Sequence, residues 1–178
     1  MRYVLLLLFL ISVGGASARS QREIRLIRSG RSAYSIVVPA QASPVELRAA
    51  EFLQRHLKQI SGCTLPIRQT DAVPGKHSIA IAQRPEIAIP DAYRIYSQKG
   101  RIRIEGGSGK GCIYAVSNLL EALGVRYYSP EDVVIPKRRD VYWQNPRYSE
   151  VPVNTYRNVH GRFGENPDYR DFHKLHNI

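Results

Sequence analysis

Only two stretches of this sequence carry a helix-length apolar stripe, and short runs of strand character surround both. That proportion limits the fold more than any single motif. The first helix is signalled at both ends. In "SPVELRAAEFLQRHLKQISG", Ser43 is a favoured N-cap, Pro44 takes the first helical position, and Glu46 stands where it completes a capping box. Ala49, Leu53, Leu57 and Ile60 recur at helical spacing, and Gly62 sits where a helix stops. The second helix is expected from about Lys110 to Leu123. Its stripe is Ile113, Val116, Leu120 and Leu123, and Gly124 ends it.

The remaining segments read as strands. Glu23–Arg28 and Tyr34–Pro39 are expected as two strands joined by a turn at Ser29–Gly30. "LPIRQ" (65–69) and "HSIAIAQ" (77–83) follow. "AYRIYSQ" (92–98) and "RIRIEG" (101–106) flank Lys99–Gly100 as a tight hairpin. "VRYYS" (125–129) and "DVYWQ" (140–144) complete the set. Most of these strands are neighbours in sequence. The pattern therefore predicts an α/β (α+β) domain, with a mixed, largely antiparallel sheet and both helices on one face, rather than a doubly wound sheet.

The chain opens with Arg2, an apolar run too short to span a bilayer, and small residues at Ala16–Ala18. This is the pattern of a signal peptide over 1–18 cleaved after Ala18, so a secreted or periplasmic protein is expected, with no membrane partner after cleavage. The formal net charge is +11. Arg19, Arg22, Arg25, Arg28 and Arg31 recur every third residue, which fits no single strand face and reads as solvated charge around an edge strand. Scattered arginines in an exported chain speak against a nucleic-acid partner. Cys63 and Cys112 have no metal-site spacing, and sequence leaves buried thiols and a disulfide equally open.

"IEGGSGKGCIY" (104–114) raises the question of a phosphate cradle, since it links a strand to a helix. It fails both tests. Gly109–Lys110 supply the Gly-Lys of a P-loop, but Ile104 stands where the first glycine belongs, and Gly111 replaces the hydroxyl residue that holds Mg²⁺. For a dinucleotide fingerprint, Gly107 and Gly109 are followed by Cys112 at the third place. No nucleotide and no other cofactor is expected. The glycines are read as letting the chain turn sharply into a helix that lies close on the sheet.

Two of these segments resemble a known family. In "ELRAAEFLQRHLKQISGCTLPI" the residues Ala49, Ala50, Leu53, Leu57, Ile60, Ser61, Gly62, Leu65, Pro66 and Ile67 occupy the places of a family pattern. So do Gly111, Tyr114, Leu119, Leu120, Glu121, Leu123 and Gly124, then Arg126, Tyr127 and Tyr128, of "GKGCIYAVSNLLEALGVRYYSP". Both are similar to the small N-terminal accessory domain of glycoside hydrolases, in the β-hexosaminidases of family 20 and the α-glucuronidases of family 67. The resemblance implies a β-hexosaminidase domain 2-like fold over 19–146. It also implies that catalysis belongs to a (β/α)₈ barrel, which needs roughly 200 residues or more. Residues 147–178, which are polar, are expected as a linker and the start of such a barrel, with a strand near Val153–Tyr156 and a helix from about Asp168. The barrel would carry the carbohydrate partner, and no catalytic residue is expected here.

The resemblance places Arg157 at the end of the first barrel strand, as a substrate contact. Glu165, Asp168 and Asp171 read as acids near a helix start. His173 and His176, three apart, read as solvated rather than as metal ligands. Trp143 and Tyr127–Tyr128 could stack on a sugar but fit packing better. The expected function is a non-catalytic domain of an exported glycosidase. The alternative is a free-standing exported module that binds a glycan or polyanion.

Overall fold

The computed structural model describes residues 23–98, 100–144, 147–154 and 156–176. The expected signal peptide lies outside them. The first helix, α1 (Pro44–Ser61), forms as its ends dictate. Ser43 Oγ accepts from Glu46 N, Glu46 Oε2 accepts from Ser43 N at 2.7 Å, and Gly62 closes the helix with φ of 78°. The second helix, α2, spans Gly111–Ala122.

Six strands build the main sheet: β2 (Ser35–Val38), β3 (Ile67–Gln69), β4 (Ser78–Gln83), β5 (Tyr93–Gln98), β6 (Arg101–Gly106) and β10 (Arg147–Glu150), in the order β10-β5-β6-β4-β2-β3. β5 and β6 form the expected hairpin, and Gly100 at its tip has φ of 77°. Two antiparallel ribbons stand apart. One pairs β1 (Ile24–Ile27) with β9 (Val141–Trp143), and the other pairs β7 (Arg126–Tyr127) with β8 (Val133–Val134). Four of these seven ladders are antiparallel, so the mixed, mostly antiparallel class holds; the parallel ones, β3-β2-β4-β6, all lie in one half of the main sheet.

Both helices lie on one face. Ile36 and Val38 of β2, Ile79 and Ile81 of β4, and Ile102 and Ile104 of β6 alternate inward, where Leu53 and Leu57 of α1 and Val116 and Leu120 of α2 meet them. Each such side chain contributes about 1.5–3 kcal/mol by leaving water.

Two expectations need correction, and one pairing that the sequence left open is now set. The turn at Ser29–Gly30 exists, with Arg28 and Arg31 exchanging backbone hydrogen bonds, but β1 does not pair with β2. It pairs with the distant β9, because that ribbon buries Leu26 and Ile27 together with Val141 and Trp143. Arg25, Arg28 and Arg31 stay exposed around it. Secondly, Arg147–Glu150, expected as linker, is a sheet strand paired antiparallel with β5. Pairing an outer edge needs backbone groups rather than apolar side chains, so apolar periodicity is silent about it. Thirdly, the strand expected near Val153–Tyr156 does not form among the described residues there, and Val153 is exposed. After α3 (Arg162–Glu165), α4 (Pro167–Phe172) begins with Asn166 as its cap and packs on α2.

Candidate functional site

The polar residues of the last segment converge on the start of α2. The loop before β5 supplies Asp91. Its Oδ1 accepts from the Lys110 backbone N–H at 3.0 Å, and its Oδ2 meets Arg157 Nη2 at 3.1 Å and His176 Nε2 at 2.8 Å. The Arg157 guanidinium also donates to Lys174 O at 2.8 Å and lies over the Tyr114 ring at 5.3 Å. Tyr156 stacks on His176. Thus Arg157 reaches into the domain, and its side chain is 20% exposed.

A second cluster lies beside it. Asp171 is buried and meets Arg48 Nε at 2.9 Å, while Asp168 meets Arg48 Nη2 at 2.7 Å and Arg55 Nη2 at 2.8 Å. Lys110 Nζ donates to Leu175 O at 3.1 Å and stands 3.8 Å from Asp171. Burial pulls the Lys110 amine below its usual range, against the opposing pull of Asp171. Lys174 bridges Glu150 at 2.6 Å and Tyr93 OH at 3.0 Å. Burial alone would raise the Glu150 carboxyl, but hydrogen bonds from Lys174 and Tyr93 outweigh it and hold the group below the usual carboxylate range.

The glycine loop is filled by the chain itself. Gly107 N–H donates to Ala92 O and Gly109 N–H to Pro90 O. A Cβ on Gly107 would lie 2.2 Å from Ile89 O, and one on Gly111 2.3 Å from Ala92 O. Both glycines are there for close approach. Gln83 Nε2 gathers the carbonyls of Gly107 and Ser108, and the α2 N-terminus already has an anion, the Asp91 carboxylate. A phosphate cradle needs those N–H groups free.

The other singled-out residues scatter. Glu165 is exposed at the end of α3. His173 Nε2 bonds Tyr127 O at 2.8 Å, away from His176, and no group of three or more His, Cys, Asp or Glu among the described residues is placed to hold a metal. Trp143 and Tyr127 are buried in the core, and Tyr128 is exposed. The open cysteine question closes as two free thiols, with burial pushing Cys112 up to about 12. Tyr127 OH meets buried His56 Nε2 at 2.8 Å, while His56 Nδ1 meets Phe52 O at 2.8 Å. Burial lowers the His56 pKa, which keeps the ring neutral.

Sequence reasoning missed Asp91, Arg48 and Lys174. Asp91 lies 66 residues from Arg157 and Arg48 lies 123 from Asp171, and no local spacing signals a partner at that range.

The description "Glycosyl hydrolase family 20, domain 2" matches residues 28–136, more than half of the chain. The chain belongs to this family. Solved glycosidases share its fold. A family 20 exo-β-N-acetylglucosaminidase from Vibrio harveyi superposes with a TM-score of 0.58 at 17% identity, covering 88% of this chain and 22% of its own. A mutant Streptomyces plicatus β-hexosaminidase, with product bound, gives 0.56 at 16% identity over 77% of this chain and 25% of its own. A family 115 4-O-methyl-α-glucuronidase with specificity for decorated arabinogalactans gives 0.53 at 16% identity, covering 75% of this chain and 19% of its own. The chain thus spans about a quarter or less of the length of these enzymes. No curated protein matches it.

Proposed function

We propose that this chain is the non-catalytic accessory domain of an exported carbohydrate-active glycosidase, and that a barrel outside residues 23–176 supplies the chemistry. The match to domain 2 of family 20 over residues 28–136 carries this reading. The site geometry supports it. Paired-carboxylate hydrolysis needs two acids facing one bond, one of them kept protonated by an apolar setting. Asp168 and Asp171 are instead both bound by Arg48, and Glu165 stands exposed. The clusters around Asp91 and Arg48 tie the last segment to α1 and α2, which suits a domain that holds a following unit in place. In the assembled enzyme Arg157 would border the sugar site as a substrate contact, with its guanidinium shared with Asp91. The leader over 1–18 would direct export.

The test is hydrolysis of chromogenic N-acetyl-β-glucosaminide and glucuronide by the purified chain. No turnover is expected. Turnover that survives stringent purification, and disappears in Glu165→Gln or Asp168→Asn, would overturn the reading. A second reading, a free-standing exported module for a glycan or polyanion, draws support from Arg68 of β3 and Arg103 of β6, on the sheet face turned away from the helices; it requires binding without any barrel.

A further inference from the structure

The sheet face turned away from the helices has its own pattern. Register places Arg68 of β3, Val37 of β2, Ala80 of β4, Arg103 of β6, Tyr96 of β5 and Arg147 of β10 in one row across all six strands. Strands lie about 4.8 Å apart, so Arg68 and Arg103 are separated by about 14 Å and Arg103 and Arg147 by about 10 Å. Ala80, partly exposed, and Val37, nearly buried beneath it, form a low apolar floor between the first two arginines, and residues of the segment from Thr70 to Pro74 line one side of this shallow groove.

Charge on this face is unbalanced. Arg68 and Arg103 have no carboxylate within ion-pair distance among the described residues. Arg101, also on this face, has its Nε shielded from solvent with no hydrogen-bond partner among the described residues. The buried acid here, Glu105, is committed to Arg84 at 3.1 Å and Arg94 at 2.6 Å. Asp71, at the groove's side, accepts from Ala40 N–H at 3.0 Å.

We propose that this row binds an extended, carboxylate-bearing polysaccharide, with carboxylates of non-adjacent sugars on Arg68 and Arg103 and the intervening sugars over the Val37–Ala80 floor. A guanidinium matches a carboxylate with two parallel hydrogen bonds, and the Tyr96 ring next to Arg103 offers a surface for a further sugar. The cations stand farther apart than one sugar ring reaches, and the groove is open, so the arrangement suits a polymer rather than a monosaccharide. The proposal rests on the accessory-domain reading, which makes a polysaccharide rather than a nucleic acid the polymer at hand.

The test is affinity electrophoresis of the whole chain in gels containing polygalacturonate, neutral dextran or duplex DNA, at about 0.15 M salt. Retardation is expected in polygalacturonate and not in dextran. Arg68→Gln with Arg103→Gln should weaken binding about tenfold, since each exposed pair contributes modestly. Arg28→Gln with Arg31→Gln removes the same charge elsewhere and should change it less than about twofold. In the unaltered chain, polygalacturonate should shield Arg68 and Arg103 from phenylglyoxal and leave Arg28 reactive; this readout does not depend on any variant folding. Equal weakening by both pairs, equal binding of DNA, or no selective shielding would overturn the proposal. Hydrolysis by the chain alone would overturn the accessory-domain reading and leave site-specific binding standing, so the two failures are distinguishable.

Discussion

On the helix side of the six-stranded sheet stand Ile36, Val38, Ile79, Ile81, Ile102 and Ile104, all within 1% of full burial. On the other side the same strands carry Val37, Ala80, Ala82, Arg101, Arg103 and Glu105. The strands have one backbone and two faces, and period-two alternation sends each residue to one or the other. On the closed face an apolar residue has almost no choice, because two helices and α4 behind them leave no room for water. The other face is covered only in part: Val37, Ala82 and Glu105 are buried there, while Arg68 and Arg103 keep contact with solvent and leave charge to serve a partner.

The sharpest way to test the contrast is to remove bulk from the closed face. Leu53→Ala, at 0% exposure in α1, should cost about 2–5 kcal/mol in urea unfolding. A cost under about 1 kcal/mol would mean that the helix layer is loosely packed.

The next effect concerns Glu105, the acid buried on the open side. Burial alone would raise its pKa, but hydrogen bonds from Arg94 and Arg84 outweigh this and hold it below the ordinary 4.5. A depressed folded pKa means stability that is fully present above about 4.5 and lost as pH falls through the lower folded value. Glu105→Gln should therefore lower stability by about 1–3 kcal/mol at neutral pH and flatten the acid limb below pH 4.5. An unchanged acid limb would assign that limb to other carboxylates.

On the closed side, His56 gives a different window. Burial holds its folded pKa below 6.5, so its contribution is present above 6.5 and lost as pH falls from there. Stability should rise with pH in this window, by at most about 1.4 kcal/mol per pH unit, and His56→Gln should flatten the slope. A slope of the opposite sign would mean that the ring is charged in the folded state. The smallest effect belongs to the open face: Arg103→Gln should alter stability by no more than about 0.5 kcal/mol.

The helices and the β5–β6 hairpin were legible because their signals are local: Ser43 with Glu46, Gly62 after Ile60, and Lys99–Gly100 between alternating runs. The six-stranded order was not legible. β10 pairs through its backbone and has no apolar period, and β1 joins β9 over more than a hundred residues. Failure of the phosphate motifs was readable from Ile104, Gly111 and Cys112, but their physical counterpart was not: Asp91 occupies the helix start, and nothing near it in sequence announces that role. Of the last segment, the helix near Asp168 was foreseen, and the ion-pair partners of Asp168, Asp171, Arg157 and His176 were not. Those partners, Arg48, Arg55, Lys110 and Asp91, come from elements far away in the chain.

The polar groups of the last segment hold it against the start of α2. A double-mutant cycle on Asp91 and Arg157, read by urea unfolding, tests this clamp most directly. Asp91→Asn and Arg157→Gln should each destabilise the chain, and the double variant should cost less than their sum by about 1 kcal/mol, because both remove the same contact. An Arg157→Gln variant of unchanged stability, with no coupling to Asp91, would contradict the clamp.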